Sequence, residues 1–373
     1  MKKIRARVWS VLLVCAMLLA VFPVVALAEP EGEPIAGTTV IYVSKDGTES
    51  NDGTSAEVPT TLAHATELAN QAGTPAEIVV IGQVEVDTWT SPTVSTTLRG
   101  QDENSELLFA YCPASDYEYN IGMAGALTID RIRLNCAYTE YKFNTYYGTY
   151  TIVANGYPLV ITSETKAAYY TSDTTIDGKR HSTSNCRVIG GGLHTDVSQG
   201  THVEIYTSLP LTTVIGGGYD GNVSGGVYLL AQNCGKVQQI LGGGYASGAQ
   251  ANVTGDIVFS FIDSVTDKPI YAGGYASGDN SASTDGNITV NLSGLGKGFG
   301  KPIYGGGYGE GSTVTGNIVI NAQNIDMTNN NAGIYGGGYK GTVTGNVQIN
   351  VSSSKLSKTI YGGGDSAIVD GNV

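Results

Sequence analysis

One phrase recurs from residue 189 onward, Ile-(Leu/Tyr)-Gly-Gly-Gly-Tyr with small variations, and it constrains the fold more than any other feature of the chain. Its triplets open at Gly190, Gly216, Gly242, Ala272, Gly305, Gly336 and Gly362, at steps of 26, 26, 30, 33, 31 and 26 residues. A recurring period in this range marks stacked supersecondary units. A core step of 26 with insertions of four to seven is what coils with variable loops produce.

A second phrase follows each triplet, as in Asn222-Val223-Ser224-Gly225, Asn252-Val253-Thr254-Gly255, Thr313-Val314-Thr315-Gly316 and Thr342-Val343-Thr344-Gly345, and leads into a short strand. There Val227, Leu229 and Ala231 alternate with polar or outward residues, as do Ile257, Phe259 and Phe261, then Ile288, Val290 and Leu292, then Val347, Ile349 and Val351. That period of two is expected of strands with one buried face. A single coil has too little apolar area to offset its ordering entropy, so it needs a neighbour above and below. The expected fold is therefore all-β, a right-handed parallel β-helix (β-solenoid). The glycine triplets are expected at its corners, since glycine enters positive φ without steric cost.

Two other repeat architectures fit less well. A β-propeller blade needs about 40 or more residues and four strands. A calcium-binding nonapeptide roll needs an Asp-bearing unit repeated back to back. Here Asp220 and Asp365 follow triplets, but Ala246, Ala276, Gly309 and Lys340 hold the equivalent places.

The first 28 residues read as a secretory signal, with Lys2, Lys3, Arg5 and Arg7 ahead of an apolar stretch from Val8 to Val25 and the small-residue end Ala26-Leu27-Ala28. Its removal leaves 16 basic against 33 acidic side chains, a formal charge of −17, which argues against nucleic acid as a partner. No membrane span is expected after cleavage, and the surroundings of Cys15 do not suit a lipid anchor. Four cysteines then remain, Cys112, Cys136, Cys186 and Cys234. Their spacings approach one or two repeat lengths, which suggests similar positions in different coils; buried thiols are the preferred reading over disulfides.

Residues 29–38 read as a linker and 39–90 as an N-terminal cap with the first coils. Thr39 to Val43 forms a strand, residues 60–72 a short helix with Leu62, Ala65, Leu68, Ala69 and Ala72 on one face, and Glu77 to Glu85 another strand. The segment Tyr42-Val43-Ser44-Lys45-Asp46-Gly47 through Asn51-Asp52-Gly53-Thr54 resembles the opening of the pectate-lyase-like right-handed parallel β-helix proteins, especially the adhesin-like cell-surface proteins of Gram-positive bacteria. The resemblance implies that this segment enters the fold and that the helix caps the first coil. An uncovered terminal coil would expose a row of unpaired backbone groups.

Residues 91–188 are expected to hold less regular coils, with strands around Ala124, Leu127, Ile129, Ile132 and Leu134 and again around Tyr150, Ile152, Ala154, Leu159 and Ile161. Residues 189–373 are the regular repeats carrying the GGGY motif. They end partway through a second phrase, so a chain truncated at its C-terminus is expected.

β-Helices also host polysaccharide lyases and glycoside hydrolases, which need calcium-binding carboxylates or a pair of carboxylates facing one groove. Asp196, Glu204, Asp220, Asp256, Asp263, Asp267, Asp279, Asp285, Glu310 and Asp326 fall at different phases of the repeat. Most read as solvated loop residues. Asp173, Asp177, Lys179, Arg180 and His181 form the densest polar cluster outside the repeats, more in keeping with a charged surface insertion than with a catalytic loop. His64, His181, His194 and His202 show no metal-ligand spacing, and neither a metal nor a cofactor is called for.

Tyrosine is the conspicuous residue, with 23 copies against six Phe and two Trp. Tyr219, Tyr245, Tyr275, Tyr308 and Tyr339 each follow a triplet at the same phase, so stacked coils align them. Such a ladder either stacks on itself or offers aromatic faces to sugar rings or a partner protein. The sequons at Asn222, Asn252, Asn287 and Asn291 read as strand and turn polars rather than glycan sites. The functional expectation is an exported, cell-surface solenoid acting as a rigid spacer and adhesion module, with a polysaccharide or a host or cell-surface glycoprotein as partner. The alternative is a carbohydrate-active β-helix enzyme with its site in residues 91–188.

Overall fold

The computed structural model describes residues 37–110, 118–138, 149–167, 174–176, 179–181, 185–296, 299–328 and 333–373. The signal segment, Cys112, Asp173 and Asp177 lie outside these residues, as do the side chains of Lys179, Arg180 and His181. What is described is a parallel β-solenoid. Its longest sheet has eleven strands, from Thr39–Ser44 at one end to Val347–Ser352 at the other, and a second face carries nine, from Glu118–Gly122 to Ile360–Tyr361. In the N-terminal coils a third face is built from Gln83–Val86, Glu106–Ala110 and Arg133–Tyr138. Thr174–Ile176 and Lys179–His181 form an antiparallel hairpin against its edge. In the regular coils the third face shrinks to two-residue pairs such as Asp326–Met327 on Lys355–Leu356.

The register explains why the inward alternation is strict. Ile257, Ile288, Ile318 and Val347 lie opposite one another in successive coils, as do Phe259, Val290, Ile320 and Ile349. A slip of one residue would turn each of these side chains to water. The inward residues form one continuous core running from Ile41 through Phe259 and Phe261 to Val347. Burying each large side chain contributes about 1.5–3 kcal/mol.

The single described helix, Leu62–Ala72, packs its buried Ala65, Thr66 and Ala69 near the strand Thr39–Ser44 that ends the long sheet. Thr61 starts it by accepting a hydrogen bond from the His64 amide at 3.2 Å, and Gly73 in the left-handed region stops it. Among the described residues no helix is long and apolar enough to cross a membrane. The strand expected from Glu77 to Glu85 is broken by Gly82 at φ +64°, which turns Ala76–Ile81 on the first face into Gln83–Val86 on the third.

The glycine triplets are not corners of positive φ. None of their residues lies in the left-handed region. Their carbonyls and amides pair between coils, as when the Gly217 amide donates to the Gly243 carbonyl at 3.0 Å and Gly243 to Gly273 at 3.1 Å. A side chain on Gly243 would lie 2.7 Å from the Gly274 nitrogen. The triplet is glycine because the backbones of adjacent coils touch there. The turn itself comes just past the tyrosine position, where His194, Asp220, Gly309 and Lys340 take φ values of 57°, 50°, 91° and 63°.

The three described cysteines do not share a position either. Cys136 lies on the third face, Cys186 in Asn185–Ile189 of the second, and Cys234 in the turn before Val237–Leu241. All three are buried thiols, pushed up to about 12 by desolvation.

Candidate functional site

The five tyrosines that follow the triplets form one column. Along Tyr219, Tyr245, Tyr275, Tyr308 and Tyr339 successive ring centroids are 5.0, 4.9, 4.3 and 5.2 Å apart, at interplanar angles of 15°, 6°, 6° and 11°. Backbone pairing sets the stack, since Tyr219 bridges Tyr245, Tyr245 pairs with Tyr275, and Tyr275 bridges Tyr308 in parallel register.

A second column runs beside it. Tyr271, Tyr304, Tyr335 and Tyr361 precede the triplets in the last four copies and stack at 5.1, 4.8 and 4.7 Å. The two columns meet edge to face: Tyr271 stands at 72° to Tyr308 with centroids 5.5 Å apart, and Tyr304 at 73° to Tyr339 at 6.0 Å. Val153, Ile189, Ile215 and Leu241 continue this apolar strip through the earlier coils. The second column was visible in the recurring Ile-Tyr-Gly-Gly-Gly-Tyr phrase, but only its last residue had been read as a ladder.

This geometry decides what the columns can present. Ring faces within the stack are occupied by neighbouring rings, so a ligand meets edges and hydroxyls rather than flat faces. At the ends, the Arg187 guanidinium lies 5.6 Å from the Tyr219 ring centre and the Lys340 ammonium 5.8 Å from that of Tyr339. Desolvation, followed by neighbouring phenols or Asp365, raises the pKa of Tyr271, Tyr275 and Tyr304. These three phenols therefore stay protonated at neutral pH, each a donor as well as an acceptor.

A different constellation sits on the outer face of the eleven-stranded sheet. His202 and Glu204 point outward from Thr201–Ile205, and Tyr206 follows at the same spacing. The Glu204 carboxylate lies 2.8 Å from His202 Nε2 and accepts from the Tyr206 hydroxyl at 2.7 Å. His202 stacks on Tyr228 of the next coil at 4.5 Å. The His202 hydrogen bond, aided by Tyr206 and opposed by burial, holds the Glu204 carboxyl below its usual range. His202 is thus not a scattered histidine, nor Glu204 a loop carboxylate: the strand Thr201–Ile205 puts both on one face. The alternation with buried Val203 and Ile205 was the signal that both stand on one strand face.

Several of the remaining carboxylates serve turns, ladders or an ion pair. Asp220 Oδ1 accepts from the amides of Ser247, Gly248 and Ala249, and Asp267 pairs with Lys236 at 2.9 Å. Asp196 and Asp256 each head an asparagine ladder. Asp256 Oδ1 accepts from the Asn287 amide, Asn287 Oδ1 from Asn317, Asn317 Oδ1 from Asn346 and Asn346 Oδ1 from Asn372, at 2.7, 2.9, 2.9 and 2.9 Å. An asparagine both donates and accepts and so fits inside such a row, whereas an ionised aspartate only accepts and fits its head. The sequons at Asn222, Asn252, Asn287 and Asn291 spend their side chains in these contacts. Among the described residues no group of three or more His, Cys, Asp or Glu is placed to hold a metal ion.

Fold and site together define the class, a parallel β-solenoid bearing tyrosine and asparagine ladders. The chain matches no protein-family model, no curated protein and no solved structure.

Proposed function

We propose that the chain is an exported, cell-surface solenoid acting as a rigid spacer and adhesion module, the role implied by its resemblance to pectate-lyase-like adhesin-like proteins of Gram-positive bacteria. One observation carries the reading: the column Tyr219, Tyr245, Tyr275, Tyr308 and Tyr339 runs along the axis, part-exposed at every step, and repeats the same edge and hydroxyl once per coil. A ligand suited to such a comb is itself extended and repetitive, which fits a polysaccharide or the glycans of a surface glycoprotein. Export rests on the signal-like first 28 residues.

The test is binding of the chain from Glu29 onward to a panel of polysaccharides and glycoproteins, with and without calcium. Saturable binding without new reducing ends or unsaturated products is the expected result. Tyr275→Phe combined with Tyr308→Phe retains the rings but removes two hydroxyls, each contributing about 0.5–1.5 kcal/mol, and should weaken binding roughly 5- to 100-fold. Unchanged affinity would show that the columns only stabilise the fold.

A carbohydrate-active enzyme is the second reading, favoured by Glu204 held between His202 and Tyr206. That cluster lies beyond the residues 91–188 where an active site was expected. Product release abolished by Glu204→Gln would establish it.

A further inference from the structure

Tyrosines held ring against ring by backbone pairing are set up for a chemistry that dispersed tyrosines undergo only by collision. Tyr275 and Tyr308 are the closest such pair, 4.3 Å between centroids and 6° from parallel, and the edge of Tyr271 rests against both rings. Both rings are partly exposed, so an oxidant in solution can reach them without opening the coil. The stack continues on either side to Tyr245 and Tyr339, and the second column repeats the arrangement at 4.7–5.1 Å.

We propose that the tyrosine columns, with Tyr275–Tyr308 foremost, are sites of oxidative cross-linking that bonds one coil to the next. The co-substrate is a peroxide acting through a haem peroxidase. Each phenol gives up one electron and its hydroxyl proton and becomes a phenoxyl radical. The two radicals join through ring carbons ortho to oxygen, and each ortho hydrogen then moves to its own oxygen to restore the phenol. One aryl–aryl bond has formed, two hydrogens have left the protein, and one peroxide has been reduced to two waters. The product is a covalent staple between coils otherwise joined by hydrogen bonds and packing. It is independent of whether the columns bind a glycan.

The experiment exposes the dilute full chain to a haem peroxidase and hydrogen peroxide, follows dityrosine fluorescence, and maps cross-linked peptides by mass. The expected product joins the Tyr275 and Tyr308 peptides within one chain, is lighter by two hydrogens, and forms in a yield per chain that does not change with protein concentration. Tyr308→Phe, which keeps the stacked ring but cannot form the phenoxyl, should lose this product, while Tyr42→Phe, outside the columns, should retain it. Thermal unfolding of both variants before oxidation confirms that the stack is intact. Products that only link separate chains, that map to tyrosines outside the columns, or that persist in Tyr308→Phe would overturn the proposal.

Discussion

The outer face of the eleven-stranded sheet changes character along the axis. From its first strand through Thr201–Ile205 it carries unlike partners: Arg99 on Glu77, Thr162 on Asp130 at 2.6 Å, and His202 and Tyr206 on Glu204. From Ile288–Ser293 onward it carries like on like, with Asn321 donating to Asn291 and Asn350 to Asn321 at 3.1 and 2.9 Å. The cause is the stacking distance. Identical residues about 4.8 Å apart must pair with themselves, which amides, phenols and branched apolar chains do and carboxylates do not. Two like charges at about 4 Å repel by about 1 kcal/mol in bulk water and about 4 kcal/mol at a protein surface. Repetition therefore favours Asn, Tyr, Ile and Gly over charged residues in the stacked rows.

The largest expected effect tests whether the regular coils depend on backbone contact or on glycine conformation. Gly243→Ala places a methyl 2.7 Å from the Gly274 nitrogen and 2.9 Å from the Gly273 carbonyl carbon, and backbone on backbone leaves little that can move. A loss of about 3 kcal/mol or more is expected. Gly278→Ala meets nothing within 4 Å but sits at φ +60°, so about 1–2 kcal/mol should be lost. Urea midpoints of the two variants give the comparison. A loss at Gly243 no larger than that at Gly278 would mean that backbone contact between coils is not what keeps the triplets glycine.

The asparagine ladder should give the next largest effect. Asn317 donates to Asn287 and accepts from Asn346, so Asn317→Asp puts an acceptor where a donor is needed. At neutral pH this should cost about 1–3 kcal/mol. At a pH low enough to protonate the new carboxyl, which can then donate, part of the loss should return. Asn317→Ala, which leaves the Asn287 oxygen its bond from the backbone amide, should show no such recovery. Equal pH dependence in the two variants would mean that the row is not selected for paired donors and acceptors.

These contrasts also show what was legible beforehand. The coil period, the inward alternation from Val227 to Val347 and the first tyrosine column follow from spacing alone, because each residue's neighbour is its own copy one period away. The helix was legible for a similar reason, its buried Ala65 and Ala69 being four residues apart. The His202–Glu204–Tyr206 cluster was not, because its partners are unlike residues and no period announces them. Nor was the reason for the glycines, since close approach between coils and positive φ leave the same letter in the sequence. Cys136, Cys186 and Cys234 do not share a position because spacings near a repeat length, in coils that carry insertions, put two of them on different faces and the third in a turn.

The smallest expected effect separates the two halves of the outer face by pH. The Glu204 carboxyl is held below its usual range chiefly by its hydrogen bond to His202, so it favours the folded state while ionised. That contribution is present in full above the ordinary carboxylate pKa of about 4.3. It is lost as pH falls through the lower folded-state value. Glu204→Gln lacks it. The stability difference between the wild type and this variant should therefore be present above about 4.3 and shrink below about 4. Because the His202 side chain is 45% exposed, water screens the pair and the difference should stay below about 1 kcal/mol. Amide exchange locates it: acid should loosen Thr201–Ile205 and its partner Val227–Gln232 while Ile288–Ser293 and Ile318–Gln323, paired through neutral amides, keep their protection. Loss of protection in both sets together would mean that the charged and the amide-lined halves of this face share one acid-sensitive stability.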